Sequence, residues 1–276
     1  MKDSNRQDLT SLMDRKENRE IMQEARKNWS EQELILAFNL YCKLPFGQYH
    51  KNNPKVIELA QILGRTPSAV ALKLCNFARF DPHHKKRGVK GMRHGSKLEE
   101  KVWNEFNENW DDLAYQSDVS IAELKGVKHY DLIKFEGEAL EGREKEAVVK
   151  VRLNQKFFRG MVLASYRTRC AVCSLPEESL LIAGHIIPWS INSSLRMNPR
   201  NGICMCALHD KAFDKGLITI RDDYKLIVSK TIKKLHNEIS VQRGFLPYEG
   251  FKIRLPDRFL PDKRFIEFHR NNVFVG

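Results

Sequence analysis

The sequence predicts an α+β protein with a helical N-terminal domain and a small mixed C-terminal domain. Between Trp29 and Phe80, three helix patterns with cap residues follow one another. Between Cys170 and Gly216, the pattern changes to strand, loop, strand and helix. We therefore divide the chain into a polar leader (1–28), a helical domain (29–125), a linker (126–150) and a C-terminal domain (151–276).

Positive charge dominates the composition of the 276 residues, with a net charge of +12 and a pI near 9.4. This excess favours a polyanionic partner, which could be nucleic acid or an acidic membrane surface. No apolar stretch approaches the roughly 20 residues of a membrane span, and the N-terminus lacks a signal-peptide core. Six unevenly spaced cysteines do not suggest a secreted disulfide scaffold. We expect a cytoplasmic protein that does not insert into membranes.

The first predicted helix begins after Ser30, where Glu33 completes a capping box. A second helix runs from Pro54 to Gly64, and a third follows Thr66, with proline at its first position. These helices resemble helix-turn-helix or Myb-like modules. That resemblance implies that the third helix enters the major groove of DNA. The candidate contacts are Arg65, Thr66, Ser68 and Lys73. The alternative is a three-helix bundle that makes no base contacts.

A basic, glycine-containing segment follows the third helix, and it has no acidic residue between Asp81 and Glu99. Basic runs are often solvated loops. This one follows the candidate recognition helix directly, which suits an arm that tracks the DNA backbone. Its candidate phosphate contacts are Lys85, Lys86, Arg87, Lys90 and Arg93.

The segment 96–126 is predicted to form one helix with a trailing turn. One face of this helix carries Trp103, Phe106 and Trp110, and we expect that face to pack against the core. After the linker, an apolar face around Phe157 predicts a further helix that packs beneath the C-terminal motif. Two arginines on that helix, Arg152 and Arg159, are candidate phosphate contacts.

The C-terminal motif begins with the apolar run LLIAGHII, which predicts a strand that ends near His185. A polar loop follows, and Asn201-Gly202 turns the chain into a second short strand, ICMC. ALHDKAF then has helical spacing up to Gly216. Beyond it we expect a hairpin that turns at Asp222-Asp223, a helix over residues 231–245 and a last helix near the C-terminus.

GHIIPW, the Asn-Gly pair and LHDKAFDKG together resemble the HNH endonucleases, which have a ββα-metal fold. The resemblance implies metal-dependent hydrolysis of phosphodiester bonds in DNA, with Mg²⁺ or Mn²⁺ as the cofactor. His185 would be the general base, Asn201 would orient it, and His209 would be the third member of the motif. A neutral histidine, whose reference pKa is ~6.5, can accept a proton from water near pH 7.

One position departs from the family pattern. Many HNH proteins have an acidic metal ligand just before the base, where this chain has Gly184. Asp210 could supply an oxygen ligand instead. Neighbouring helical residues point about 100° apart, so His209 and Asp210 would not serve one ion equally. We expect His209 to be the third residue of the motif. In the alternative alignment, which matches Phe213 to the family pattern, Asp210 takes the metal-binding position instead.

A second metal site is suggested by Cys170-x-x-Cys173 and Cys206-x-x-His209, which have zinc-knuckle spacing. The alternative is ordinary buried thiols, which behave as small hydrophobic groups. Cys204 fits that alternative best among the four cysteines. His209 cannot bind both zinc and the catalytic ion.

The sequence thus predicts a DNA endonuclease that resembles the restriction or phage-defence nucleases of prokaryotes. Its substrate would be double-stranded DNA. A homodimer would be the simplest way to cut both strands, because one HNH site cuts one strand. The rival hypothesis is a non-catalytic DNA-binding regulator with a structural zinc site, and Gly184 is the feature that supports it.

Overall fold

The computed structural model describes residues 28–86, 88, 96–127 and 142–276. Most of the polar leader therefore lies outside the described residues, as do the candidate phosphate contacts Arg87, Lys90 and Arg93. Among the described residues, no helix has the length and apolar character needed to cross a membrane.

The three predicted N-terminal helices are present with their predicted caps. In the first, Ser30 accepts from the backbone of Glu33, and Glu33 accepts in return. Gly64 ends the second helix in the left-handed region, with φ 61°, and Thr66 caps the third. The bounds are α1 Glu31–Lys43, α2 Pro54–Leu63 and α3 Pro67–Ala78, followed by a single turn, α4 Pro82–Lys86.

The prediction of one helix over residues 96–126 is wrong. The segment forms α5 Lys97–Phe106 and α6 Trp110–Lys125. Between them, Asn107 is extended and Glu108 has a φ of 83°, which a continuous helix cannot include. The break lets two differently directed helices bury their aromatic side chains, and Trp103, Phe106 and Trp110 are all buried.

A long helix, α7 Gly142–Ser165, connects the two halves of the chain and packs against α1 and α6. It begins inside the segment predicted as a linker, so residues 142–150 are helical. Phe157, Phe158, Met161 and Val162 are buried on it, which confirms the predicted apolar face.

Arg258 fixes the C-terminal part of the chain to the helical part. Its side chain is 1% exposed. Nη1 donates to Tyr41 O at 3.0 Å, while Nη2 donates to Cys42 O at 3.1 Å and Leu44 O at 2.9 Å. These are carbonyls at the end of α1, which have no partner within the helix. The described residues of both halves share one hydrophobic core.

The predicted strand, loop, strand and helix are confirmed. Strands β1 Leu181–His185 and β2 Gly202–Cys206 are antiparallel, with His185 opposite Gly202 and Gly184 opposite Ile203. Helix α8 Ala207–Asp214 follows β2 directly. The predicted hairpin is β3 Ile218–Ile220 with β4 Leu226–Val228. The single helix expected over 231–245 is instead two short ones. The last elements are α9 Lys230–Lys233, α10 Ile239–Gly244 and α11 Lys263–Asn272.

Candidate active site and metal centre

His185 lies at the end of β1 with its imidazole held on two sides. The ring stacks on Phe158 of α7, with centroids 4.2 Å apart and planes 4° from parallel. Nε2 lies 2.9 Å from Arg196 O. A carbonyl oxygen only accepts, so this bond requires the proton on Nε2. In the neutral ring, the lone pair is then on Nδ1, which is the arrangement that a general base needs.

The pKa of His185 is lowered by burial, and the positive charge of Arg196 lowers it further, against the opposing effect of the hydrogen bond to Arg196 O. The imidazole is therefore neutral at pH 7 and can accept a proton.

Asn201 is almost fully buried, at 1% exposure. Its Oδ1 accepts from Ile187 N at 2.8 Å, and its Nδ2 donates to Ile187 O at 3.2 Å and to Leu195 O at 3.4 Å. The amide thus joins the two sides of the loop that carries Arg196 O. Its hydrogen bonds go to the backbone of that loop, so any orientation of His185 by Asn201 acts through the loop.

Two glycines allow close packing around the hairpin. A Cβ at Gly202 would lie 2.5 Å from Val162 Cγ2 and 2.9 Å from Phe158 Cζ. Only glycine lets α7 approach closely enough for Phe158 to reach His185. The second glycine is Gly184, which pairs with Ile203 in the hairpin. A Cβ at Gly184 would collide with Asp210 Oδ1. The Asp210 carboxylate therefore occupies the space beside Gly184, where the family pattern has an acidic side chain.

The Asp210 carboxylate is partly buried, and burial raises its pKa to about 6, with a further increase from the negative charge of Asp214. The positive charge of Lys211 offsets only part of this increase. An oxygen-preferring divalent cation would stabilise the charged carboxylate further.

His209 lies elsewhere, among three cysteines. Its Nδ1 is 3.1 Å from Cys206 Sγ and 3.7 Å from Cys170 Sγ. Cys173 Sγ is 3.8 Å from Cys206 Sγ. One ligand atom from each of the four residues lies within 4.8 Å of all the others. Cys204 is buried outside this cluster, as predicted.

The tautomer of His209 suits metal binding. His209 Nε2 lies 2.8 Å from Gly244 O, so the proton is on Nε2 and the lone pair of Nδ1 faces the sulfurs. The hydrogen bond from Cys173 lowers the pKa of Cys170, whereas the same bond raises the pKa of Cys173 and burial raises that of Cys206, so metal binding would have to displace the protons of these two thiols. Thiolates and neutral imidazoles are the ligand forms that zinc requires.

The candidate DNA contacts near α3 are largely engaged within the chain. Arg65 pairs with Glu33 at 2.7 Å and lies 4.4 Å from the Trp29 ring. Lys73 pairs with the buried Glu99 at 2.5 Å, and the Thr66 hydroxyl caps α3. Among the described candidates, Ser68 and Lys85 are exposed, while Lys86 ends α4.

On α7, Arg152 is exposed. Arg159 Nη1 donates to Leu181 O at 2.6 Å, and its Nη2 donates to Glu178 O at 3.1 Å. Arg159 thus positions the chain that enters β1, a role that its sequence position did not indicate.

Two features were missed by sequence reasoning. Asp214 lies one helical turn after Asp210, a spacing that could have been read from DKAFD. A pocket of about 290 Å³ also opens beside His185. Its walls come from three separate elements, so no local sequence pattern predicts it. The lining residues are Gln155, Phe158, Arg159, Ile182, Ala183, His185 and Trp189.

A family model described as an HNH endonuclease matches residues 170–221. No curated protein matches the chain. The matched segment contains both strands of the first hairpin, α8 and strand β3. These residues therefore form a domain of the HNH endonuclease family, which supports a nuclease-type function. The match lies within the C-terminal half, so the helix-turn-helix resemblance of residues 29–80 stays a prediction.

Proposed function

We propose that this chain is a metal-dependent endonuclease that hydrolyses phosphodiester bonds in DNA. The observation that carries the proposal is the hydrogen bond between His185 Nε2 and Arg196 O at 2.9 Å. It places the imidazole lone pair on Nδ1, within a segment that matches the HNH family. His185 would remove a proton from the attacking water through Nδ1. Phe158 and the loop joined by Asn201 would hold the ring in place during this transfer.

Asp210 would hold the catalytic cation. Its carboxylate lies against Gly184, and burial raises its pKa although the charge of Lys211 lowers it in part, so a bound cation would stabilise the charged form. A bound Mg²⁺ or Mn²⁺ would stabilise negative charge on the phosphate and the leaving oxygen. Asp214, one turn further on, is the nearest candidate for a second carboxylate. We therefore propose the alignment with Asp210 at the metal position, although the sequence alone favoured His209.

His209 would instead complete a structural zinc site with Cys170, Cys173 and Cys206. Tetrahedral zinc with Zn–S bonds of about 2.3 Å requires sulfur–sulfur separations of about 3.8 Å. It requires sulfur–nitrogen separations of about 3.5 Å. Cys173 and Cys206 are 3.8 Å apart, and the two nitrogen–sulfur distances are 3.1 and 3.7 Å. These three distances differ from the tetrahedral values by about 0.4 Å at most, so small side-chain movements would let this donor set hold zinc. It would pin α8 to the end of β2 and to the turn that contains Cys170 and Cys173, while the hydrogen bond from His209 holds Gly244 of α10.

The wider role follows from composition and from the family resemblance. A net charge of +12 supports double-stranded DNA as the substrate. We propose a restriction or phage-defence nuclease that acts in the cytoplasm, where free thiols persist. One HNH site per chain would cut one strand, so cleavage of both strands would require two copies.

A plasmid-nicking assay tests the proposal. Supercoiled DNA is incubated with the full chain in Mg²⁺, in Mn²⁺ or in chelator, and wild type is compared with His185→Ala. His236→Ala is the matched control, because His236 is exposed. We expect nicking with either metal, none in chelator, and a loss of about 10²–10⁴-fold for His185→Ala only. A protein that binds DNA but never nicks it would instead support the non-catalytic regulator.

A further inference from the structure

The pocket beside His185 is placed to receive part of the substrate. His185 forms one of its walls, and Gln155 and Trp189 form others. If His185 activates the attacking water, the scissile phosphate lies next to the imidazole. Whatever enters the pocket must then belong to a nucleotide that adjoins that phosphate. This step rests on the proposed nuclease function.

The lining of the pocket is mostly apolar. Ile182 contributes an aliphatic wall and is 38% exposed, although it lies on a strand. Ala183 and Phe158 add further carbon surface. The guanidinium of Arg159 is held against the backbone by both of its terminal nitrogens. A phosphate would lose its hydration among these groups with little compensation.

Trp189 provides a rigid aromatic surface. The Arg196 guanidinium lies 4.6 Å from the centre of its ring, and Arg196 Nε donates to Trp189 O at 3.2 Å. The ring also meets His185 edge-on, with centroids 5.4 Å apart. An indole fixed in this way can support a flat ligand by stacking. The exposed amide of Gln155 on α7 adds an NH₂ group with two donors and a carbonyl acceptor to the lining.

We propose that this pocket binds the nucleobase of a nucleotide next to the scissile phosphate. A volume of about 290 Å³ suits one small planar group. Stacking on Trp189 and contact with Ile182 would hold the base, and Gln155 would hydrogen-bond to its edge. A base in a regular duplex is stacked between its neighbours and cannot enter. The enzyme must therefore take the base out of the stack, or act where that base is already unpaired.

The test uses one labelled duplex whose cleavage position has been mapped. In two variants of it, the nucleotide on one or the other side of the cleaved bond is replaced by an abasic analogue. In two more, each of these nucleotides is mismatched. KM and kcat are measured for the full-length chain in Mg²⁺. The same oligonucleotides are then bound in chelator and followed by fluorescence anisotropy, so that binding is measured without cleavage.

We expect a mismatch at one of the two positions to favour binding, because unpairing is already complete. We expect the abasic analogue at that position to bind about 5- to 150-fold more weakly than the mismatch, because the stacked base is lost. Gln155→Ala and Ile182→Ser should reduce this difference. Gln116→Ala, an exposed glutamine on α6, should leave it unchanged.

Equal affinity for mismatched and abasic DNA at both positions, in wild type, would overturn the pocket assignment even if the DNA is cut. A chain that distinguishes these oligonucleotides in chelator, but whose cleavage is unaffected by His185→Ala, would retain the pocket and overturn the proposed role of His185 as the general base. The two hypotheses can therefore fail separately.

Discussion

The carboxylate of Asp210 lies directly against the backbone of Gly184, in space that any larger side chain at residue 184 would need. Gly184 stands one residue before His185, where the HNH pattern often has a metal-binding acid. Strand β1 thus has no acid at residue 184, but Asp210 of α8 places a carboxylate in the same space. Under the proposed function, Asp210 would supply the carboxylate that residue 184 cannot.

Gly184→Ala should impair cleavage without unfolding the protein. The added methyl group would displace Asp210 Oδ1, and misplacing a catalytic group by about 1 Å can cost on the order of 10²-fold in rate. Gly160→Ala is the control, since its Cβ would meet only the flexible side chain of Lys43. Nicking rates and melting temperatures are measured for both. Full activity of Gly184→Ala would show that the position of Asp210 is unimportant.

His209→Ala and Asp210→Asn should have opposite effects on zinc and on catalysis. If His209 is the fourth zinc ligand, its alanine variant should release zinc and lower Tm by about 10 °C, because structural zinc contributes directly to folding. Asp210→Asn should keep zinc and its fold but lose cleavage. Zinc content, Tm and nicking are measured together. A zinc-loaded His209→Ala protein with no activity would restore His209 to the catalytic site.

The pH dependence of cleavage should reflect the buried position of His185. Burial lowers the pKa of this imidazole, and only the neutral form can accept a proton. The acidic limb of the single-turnover rate should therefore fall below pH 6.5, the ordinary value for histidine. A rate that already declines as the pH is lowered from 8 to 7 would contradict this assignment.

Arg258→Met should weaken the attachment between the C-terminal part and α1. The substitution keeps much of the side-chain volume but removes the Arg258 donor from the carbonyls of Tyr41 and Cys42 and leaves Leu44 O with only the 3.4 Å bond from the Tyr49 hydroxyl. We expect a loss of about 3–5 kcal/mol in the free energy of unfolding. Arg254→Met, at an exposed position four residues earlier, should cost little. Similar urea midpoints for the two variants would refute the anchoring role.

His269 should make stability depend on pH. Burial lowers its pKa to about 4, while Thr219 Oγ1 and Phe213 O lie 2.9 and 3.0 Å from its ring nitrogens. The unfolded chain binds a proton near pH 6.5, so the contribution is complete above that pH and is lost as pH falls towards 4. The change is roughly 3 kcal/mol at most. His269→Gln should flatten urea stability between pH 7 and 5, and an unchanged slope would exclude His269 as the cause.

The local sequence determined most of the secondary-structure elements, and it indicated the family that residues 170–221 match. Caps at Ser30 and Thr66 and the helix after Cys206 depend on neighbours only a few residues away. A local apolar run also indicated the strand that ends at His185, although its pairing with β2 joins more distant residues. Such short-range signals can be read directly. The same reading predicted one helix over residues 96–126, because a left-handed residue such as Glu108 has no strong signal in the sequence.

Only the tertiary structure distinguishes the surroundings of His209 and Asp210, on which our proposed metal assignment rests. His209 and Asp210 are adjacent, so their spacing supports either role, and the sequence favoured His209. The choice depends on what surrounds each side chain. Cys170 and Gly244 meet His209 from distant parts of the chain, and Gly184 leaves room for Asp210. The pocket at His185 likewise exists only because α7, β1 and the following loop converge there, which no local pattern encodes.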